Sequence, residues 1–499
     1  MRQFKAYIAV FVARIVTALL HLFGRGGTSL PGMIALKLCP DVLRNLASGV
    51  DVIFVTGTNG KTTTTHMIAQ ILQDANVPFF TNDAGANMIT GITAAFINKK
   101  KTLPNGERQI ALMECDEASL RKVTAHVQPR IIVVTNLFRD QLDRYGEIST
   151  TLNLIKEGIV LAGDSTTLCL NADCSYTASL GRGCTGKVLY FGFGKAAAKF
   201  GNCEYCEDAV SAQSLQNSQD NEVSQAAEAL SCIFCGAPYK YEYHNFGHLG
   251  SFYCEECGWK RPCANVEVEK ILELAPAYSR VSVKRAQSDT TQELKISLAA
   301  KFNIYNAAAA LCVAQELRIN DDIAFHALGN MSSSFGRMES FELDANTSLL
   351  MLLTKNPTGA DQVIEYVQSC VQQSKNKAAL VLCLNDKSAD GTDISWIWDV
   401  NYERLADLDC NKIIVWGTRA HDMRLRLLYA GVSRELIELV EGEDALLDAV
   451  VDFGGSSNSN EKQQVYLLAN YTSMMELRDF FAHACGKASF WNSGGDKNE

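Results

Sequence analysis

Proline is scarce, with nine residues in 499, and charged side chains make up only 20% of the chain while hydrophobic ones reach 47%. That balance excludes a disordered or fibrous protein. A surplus of positive charge is also missing: 46 Lys and Arg against 56 Asp and Glu leave a net charge of −10, so the bulk footprint of a polyanion-binding protein is absent. A mean hydropathy of −0.03 rules out many membrane spans. No internal repeat of roughly 20 to 50 residues recurs. What remains is a globular chain long enough for roughly three domains of about 150 residues each.

The apolar stretch Tyr7–Phe23 follows Arg2 and Lys5, but Arg14 and His21 interrupt it and no small-residue cleavage site follows. It predicts an amphipathic helix that packs on the body or on a partner, rather than a signal or an anchor, ending at Gly24-Arg25-Gly26-Gly27. Contact of this helix with the cytoplasmic leaflet of a membrane is left open by the sequence. Seventeen cysteines are a modest fraction of so long a chain, and some fall in metal-type pairs, which fits a reducing cytoplasm better than a disulfide scaffold.

From Asp51 the pattern is apolar strand, glycine turn, amphipathic helix, repeated, with Val52–Val55, Ile110–Met113 and Ile131–Thr135 as short apolar runs. This is the signature of a parallel sheet wrapped by helices. Residues 201–264 break the pattern with a polar stretch and then a dense Cys and aromatic segment, and they read as an insertion. The helical run Asn303–Leu317 restores it, and a second α/β series carries the strands Leu349–Leu353, Ala379–Leu384, Ile413–Trp416 and Val465–Leu468. The expected organisation is a helical segment 1–50, a central α/β domain 51–336 interrupted by the insertion, a second α/β domain 337–492 and a polar tail 493–499.

Strand Val52–Val55 runs into Thr56-Gly57-Thr58-Asn59-Gly60-Lys61-Thr62-Thr63 and then a helix. Backbone N–H groups at such a helix start converge on a polyphosphate, and glycines let it approach closely. Lys61 would reach the β- and γ-phosphates and the Thr62 hydroxyl would ligate Mg²⁺. The GxxGKT spacing is shorter than the general GxxxxGK[ST] pattern. Glu114-Cys115-Asp116-Glu117 follows the next strand and Thr135 to Glu147 the one after, a run of polar residues at the C-terminal rim where such sheets bind ligands; Glu114 is the candidate metal ligand there.

In the insertion, Cys232-x-x-Cys235 and Cys254-x-x-Cys257 are each followed at once by glycine. Two such knuckles supply the four thiolates of a structural Zn²⁺, with no open position for catalysis. Disulfides are the competing reading. His244 and His248 are competing ligands better read as packing residues, and Cys203-x-x-Cys206 has no assigned role.

The loop Thr56–Thr63, with Asn82, Gly85-Ala86-Asn87, Glu114, Leu170-Asn171-Ala172-Asp173, Phe302 to Ala307 and Gly336-Arg337-Met338-Glu339, resembles the Mur ligase family of ATP-dependent amide-forming enzymes. The resemblance implies a Mur ligase-like central P-loop parallel-sheet domain with an inserted four-cysteine zinc ribbon and a C-terminal Rossmann-like α/β domain. It implies ATP held by Gly57, Thr58, Asn59, Gly60, Lys61, Thr62 and Thr63, with Arg337 assisting and Asn303 near the adenine, Mg²⁺ on Glu114, and a carbamylated lysine at Lys156.

Three features depart from the family: Asp140-Gln141 where aspartate–histidine is usual, Lys355-Asn356-Pro357 where histidine precedes Asn-Pro, and a nucleotide loop too early for a uridine-nucleotide domain. Together with the cysteine insertion and Asp386 to Asp399, they resemble the branch that amidates lipid II with ammonia from a separate GatD-type glutaminase. The Gly183-Cys184-Thr185-Gly186 segment has Arg182 where a nucleophile elbow needs glycine, so this chain lacks its own glutaminase signal.

In that branch an aspartate of the last domain completes the partner's triad. Asp393 is the choice, with Asp390 and Asp399 as alternatives; read from the residues alone, Asp390-Gly391 forms a turn and Asp393 caps a helix. The resemblance implies ATP, Mg²⁺ and Zn²⁺ as cofactors, lipid II as substrate and no nucleic acid. The competing functions are a ligase joining an amino acid, as in folylpolyglutamate-type enzymes, and a zinc-ribbon P-loop switch.

Overall fold

Strands β1 (Asp51–Thr56), β3 (Ile110–Glu114), β4 (Ile131–Val134) and β5 (Thr167–Asn171) are short, almost wholly apolar and buried from end to end. A strand buried on both faces needs no polar alternation, which is why they read as continuous apolar runs. The computed structural model describes residues 2–23, 27–82, 85–103, 108–140, 147–200, 210–211, 229–286, 288, 290–331, 338–374, 377–455 and 462–486. The chain forms two units, Met1–Phe138 with Glu147–Met331, and Arg139–Gly146 with Ser332–Glu499.

In the first unit the four strands join β2 (Phe79–Thr81), β6 (Val188–Phe193) and the antiparallel trio β10 (Val266–Leu274), β11 (Ser279–Arg285) and β12 (Thr291–Ile296). The order is β12-β11-β10-β6-β5-β4-β1-β3-β2. All pairings from β2 to β10 are parallel, and β1 lies between β3 and β4, where the strand order reverses and such sheets open a ligand crevice. The β10–β12 extension precedes helix Lys301–Leu317 and was not anticipated. Its strands alternate buried and exposed positions, as expected of a sheet with one wet face.

Helices α1 (Arg2–Leu22), α2 (Leu30–Leu38) and α3 (Val42–Ala47) do not form a segment apart. With α5 (Ile89–Lys99) they enclose a small core of Ala6, Ala9, Ala13, Ala35, Cys39, Val42 and Ile97 inside the first unit; α4 is the helix Lys61–Asp74. A Cβ on Gly32 of α2 would overlap the Thr90 carbonyl of α5, so the two helices meet at glycine. The anticipated helix 7–23 thus packs on the body, but through its alanines; Phe4, Tyr7, Phe11 and Leu22 lie outside.

The described part of the insertion is a ribbon, β7 (Val210–Ser211), β8 (Lys240–His244) and β9 (Gly250–Tyr253), in a three-stranded sheet. Its small core holds Cys232, Tyr239, Tyr241, Phe252 and Cys254. Cys203 and Cys206 lie outside the described residues.

The second unit carries β13 (Glu339–Glu342), β14 (Thr347–Leu353), β15 (Ala378–Cys383), β16 (Cys410–Trp416), β17 (Ile437–Leu439) and β18 (Gln463–Ala469) in the order β13-β14-β18-β15-β16-β17. All neighbours are parallel except β13 with β14. The expected boundary at 336/337 lies outside the described residues; the second unit takes in Ser332–Glu499 and Arg139–Gly146. The tail 493–499 lies outside the described residues.

Candidate active site

β1 ends in Thr56, and the chain turns through Gly57 at φ +121° and Gly60 at φ +84° into α4. Both glycines are dictated by contact as well as by dihedral angle. A Cβ on Gly57 would collide with the Thr135 hydroxyl and the Asn136 carbonyl, and one on Gly60 with the Asn306 side-chain oxygen. Asn136 threads the loop from below: the Asn59 N–H donates to Asn136 Oδ1 at 2.9 Å, and Asn136 Nδ2 donates to the Asn59 carbonyl at 3.1 Å. The Thr135 hydroxyl donates to the same carbonyl at 2.7 Å. The cradle is therefore held rigid by the loop that follows β4.

Lys61 opens α4, and its ammonium donates to the Gly57 carbonyl at 2.6 Å and pairs with Glu117 Oε1 at 3.0 Å. Burial disfavours the charged form, but Glu117, Glu114 and Asp116 outweigh it and raise the lysine above its ordinary pKa, so it stays charged. The Thr62 hydroxyl donates to Glu114 Oε2 at 2.6 Å, and Asn87 Nδ2 donates to Glu114 Oε1 at 3.3 Å. The backbone of Glu114 is pinned by Asn82, which accepts from the Glu114 N–H and donates to its carbonyl, both at 2.9 Å. Thr62 and Glu114 thus present two hard oxygen donors side by side, a donor set that suits Mg²⁺. Thr58 is locked to Phe138 by its hydroxyl, and Thr63 is buried in the first turn of α4.

Asn303 and Asn306 sit in the buried helix Lys301–Leu317. Asn303 Nδ2 donates to the Ala299 carbonyl at 2.7 Å, Asn306 Nδ2 donates to Asn303 Oδ1 at 3.2 Å, and Thr64 donates to Asn306 at 3.3 Å. The structure therefore brings Gly57 to Thr63, Glu114 and Asn303 together. It does not bring Lys156 to them. That lysine is exposed midway along helix Ile148–Ala162, in electrostatic reach of Cys184 in the loop entering β6, which is at the N-terminal edge of the strands, away from the cradle. Arg337 and Gln141 lie outside the described residues. Glu117 and Asn306 are members that sequence reasoning had not assigned, although both stood in quoted motifs.

In the ribbon the sulfurs of Cys232, Cys235, Cys254 and Cys257 all lie within 4.8 Å of one another, with Cys232–Cys257 and Cys235–Cys254 at 3.5 Å. Four thiolates at about 2.3 Å from one Zn²⁺ would stand roughly 3.8 Å apart, so the set fits. Each knuckle closes on a left-handed glycine, Gly236 and Gly258, whose N–H donates back to the first cysteine carbonyl. No disulfide joins these cysteines. His244 and His248 stand apart from the four sulfurs; His248 Nε2 instead contacts the buried Cys174 Sγ at 3.2 Å.

The second unit gathers its own polar cluster at the C-terminal edge of its parallel strands. Asn385 follows β15, Gly417 and Thr418 follow β16, and Asn470 follows β18. Asn470 brackets Asn385 through two hydrogen bonds, and the Thr418 N–H donates to Asn385 Oδ1 at 2.9 Å. Asp390 is buried against the Thr472 N–H, at 2.8 Å, and hydroxyl; burial pushes its carboxyl up. Asp393 is exposed, and its Oδ1 accepts the Ser395 N–H at 2.8 Å, which holds its carboxyl low. The anticipated helix cap is not formed: the element is a 3-10 turn, Ser395–Asp399, whose N-cap is Ile394, and Asp393 accepts from the Ser395 N–H one residue before that position. Asp399 pairs with Arg139 at 3.5 Å, and Lys355, one of the family departures, pairs at 2.8 Å with Asp140, the residue before another.

Residues 55–229 match the Mur ligase middle domain and residues 353–474 the MurT ligase C-terminal domain. The pseudomurein peptide ligase type C of Methanothermus fervidus has a similar fold, with a TM-score of 0.61 at 19% identity over 89% of this chain and 80% of that one. MurF of Acinetobacter baumannii is similar at a TM-score of 0.60 and 16% identity, with the same coverage. The sheet, its reversal at β1 and the cradle define a fold of the Mur ligase class. The MurT subunit of the glutamine-hydrolysing lipid II isoglutaminyl synthase of Streptococcus pneumoniae is 33% identical over 96% of this chain and 97% of its own length. The corresponding subunit of Staphylococcus aureus is 35% identical over 88% and 90%. The chain belongs to the MurT family.

Proposed function

We propose that the chain is the ATP-consuming subunit of a lipid II isoglutaminyl synthase, converting the α-carboxylate of D-glutamate at stem position two of lipid II to the amide of D-isoglutamine. The observation that carries this reading is the meeting of Lys61, Thr62 and Glu114 beside the glycine cradle, in a chain of this family.

A carboxylate resists ammonia because its leaving group would be oxide. In the proposed reaction a carboxylate oxygen takes the γ-phosphoryl group of ATP and ADP departs, leaving an acyl phosphate. The lone pair of ammonia then adds to the carbonyl carbon, phosphate leaves with its bonding pair, and a proton is lost from nitrogen. The Thr58 and Asn59 amides are taken by Asn136, so the amides of Gly60, Lys61 and the start of α4 hold the polyphosphate, and Lys61, kept charged by Glu117, offsets charge on the transferring group. Thr62 and Glu114 would hold Mg²⁺, which when bound neutralises phosphate charge. Asn303, braced behind the cradle, is assigned to the nucleotide, and so is Arg337 on family resemblance alone. Lys156 stays out of this centre.

Ammonia is supplied, in this reading, by a GatD-type glutaminase whose histidine is oriented by Asp393, an exposed and readily ionised carboxylate; Asp390 is committed to Thr472 and Asp399 to Arg139. The four-cysteine ribbon holds a structural Zn²⁺, and the reaction takes place in the cytoplasm. Incubation of the chain and a GatD-type partner with lipid II, ATP and glutamine tests the whole. Each stem should change in mass by the difference between a hydroxyl and an amino group, with ADP formed. An unaltered lipid II overturns the reading, and a stem enlarged by an amino acid moves it to a peptide-joining ligase.

A further inference from the structure

Helix α1 has two faces of unequal residue size, and the wrong one for water is outside. Ala6, Ala9 and Ala13 form the stripe buried on the body, where the Arg14 guanidinium donates to the Ile97 carbonyl at 3.3 Å and the Thr17 hydroxyl donates to Asn98 at 3.3 Å. Around the outside, Phe4, Tyr7, Ile8, Phe11, Ile15, Leu19 and Leu22 recur at helical spacing, with Phe4 69%, Tyr7 76%, Phe11 66% and Leu22 79% exposed. A continuous apolar stripe of this size on a soluble body marks a contact surface.

We propose that this face of α1 lies flat on an anionic lipid bilayer. Three features favour lipid over protein. The first forty residues carry five basic residues and no acidic one, on a chain whose net charge is −10, so positive charge is concentrated beside the apolar stripe. Lys5 on α1 and Lys37 on α2 are exposed and available to lipid phosphates. Of the seven outward side chains only Tyr7 has a hydrogen-bonding group, whereas protein interfaces carry about one hydrogen bond per 100–200 Å². A second copy would oppose basic segment to basic segment.

Among the described residues Phe4–Leu22 is long and apolar enough to cross a membrane, but a span would have to strip the alanine seam and the Arg14 and Thr17 bonds from the folded body. The interfacial pose keeps all of them.

Co-sedimentation of the full chain with vesicles of phosphatidylcholine, or of phosphatidylcholine with phosphatidylglycerol, tests this without nucleotide, lipid II or partner, so its failure is separable from that of the proposed reaction. The chain should pellet with the anionic vesicles and less with the neutral ones. Lys5→Glu should weaken anionic binding about tenfold, and the triple variant Phe4→Ser, Phe11→Ser, Leu19→Ser should weaken it about a hundredfold or more with unchanged melting. Wild-type protein left in the supernatant, or a triple variant that pellets equally, overturns the proposal. So does a dimer that the triple variant abolishes, or lipid-free protection of α1 from hydrogen exchange by the glutaminase, since either assigns the face to protein.

Discussion

Lys61 and Glu117 test whether charge at the cradle is structural or catalytic. Both are buried, so Lys61→Met leaves the Glu117 carboxylate uncompensated and should cost about 3–5 kcal/mol of stability as well as turnover. Adding Glu117→Gln to Lys61→Met should restore much of the melting temperature and none of the ATP-dependent amidation. A double variant that regains activity would show that Lys61 serves only the fold. The two aspartates of the second unit separate in the same manner. Asp393→Asn should abolish glutamine-dependent amidation and leave ammonia-dependent amidation near wild type, whereas Asp390→Asn should lower stability through its lost Thr472 contacts. Equal effects in both assays would remove Asp393 from the partner's triad. Most of this site was legible residue by residue, because glycine at positive φ, a lysine and a hydroxyl in one loop leave a spacing signature. Asn306 and Glu117 were not singled out because their roles come from packing of helices distant in sequence.

At the scale of elements, the parallel strands were legible because burial on both faces removes polar alternation, and the ribbon because two glycine-closed knuckles admit few other readings. The β10–β12 extension was not: its half-buried alternation is weaker, and it sits beside an insertion that obscures where the domain resumes. Helix α1 was legible as a helix packed on the body, but apolar periodicity tells that a face exists and not which of two faces the body covers. The ribbon yields two outcomes. Purified chain should carry one equivalent of zinc, and its removal by a chelator should make the segment around Cys232 to Cys263 the first site of proteolysis while the nine-stranded sheet keeps its far-ultraviolet dichroism. His244, whose pKa burial lowers to about 4 with help from His248, supplies a pH dependence. Between about 6.5 and 4 the unfolded chain takes up a proton that the folded ribbon refuses, so stability falls as the pH drops through that window, by at most about 3 kcal/mol. Above it the contribution is constant. Melting curves across this range should flatten in His244→Gln; an unchanged slope would place the titration elsewhere.

For the whole molecule, the proposed amidation raises the question of where the nitrogen comes from, and the core holds one candidate to weigh against the proposed glutaminase partner. Cys174 and His248 form a thiol–imidazole contact of 3.2 Å, and His248 offsets burial enough to lower the thiol pKa, which is the pairing a glutamine-hydrolysing nucleophile uses. Both residues are fully shielded from solvent, Phe138 and Tyr176 pack against the imidazole, and no glutamine could reach the sulfur without unfolding the ribbon's seat. The pair is therefore read as packing between ribbon and sheet. Two measurements divide the alternatives. The chain without a partner should amidate lipid II with ammonium salts and not with glutamine, and should do so faster as the pH rises, because only the uncharged amine has a free lone pair. Cys174→Ser should leave that rate, and the glutamine-dependent rate with the partner present, within about twofold of wild type while lowering stability by about 1–2 kcal/mol. Glutamine-dependent amidation by the chain alone, lost in Cys174→Ser, would make the buried pair the nitrogen source and remove the need for a second subunit.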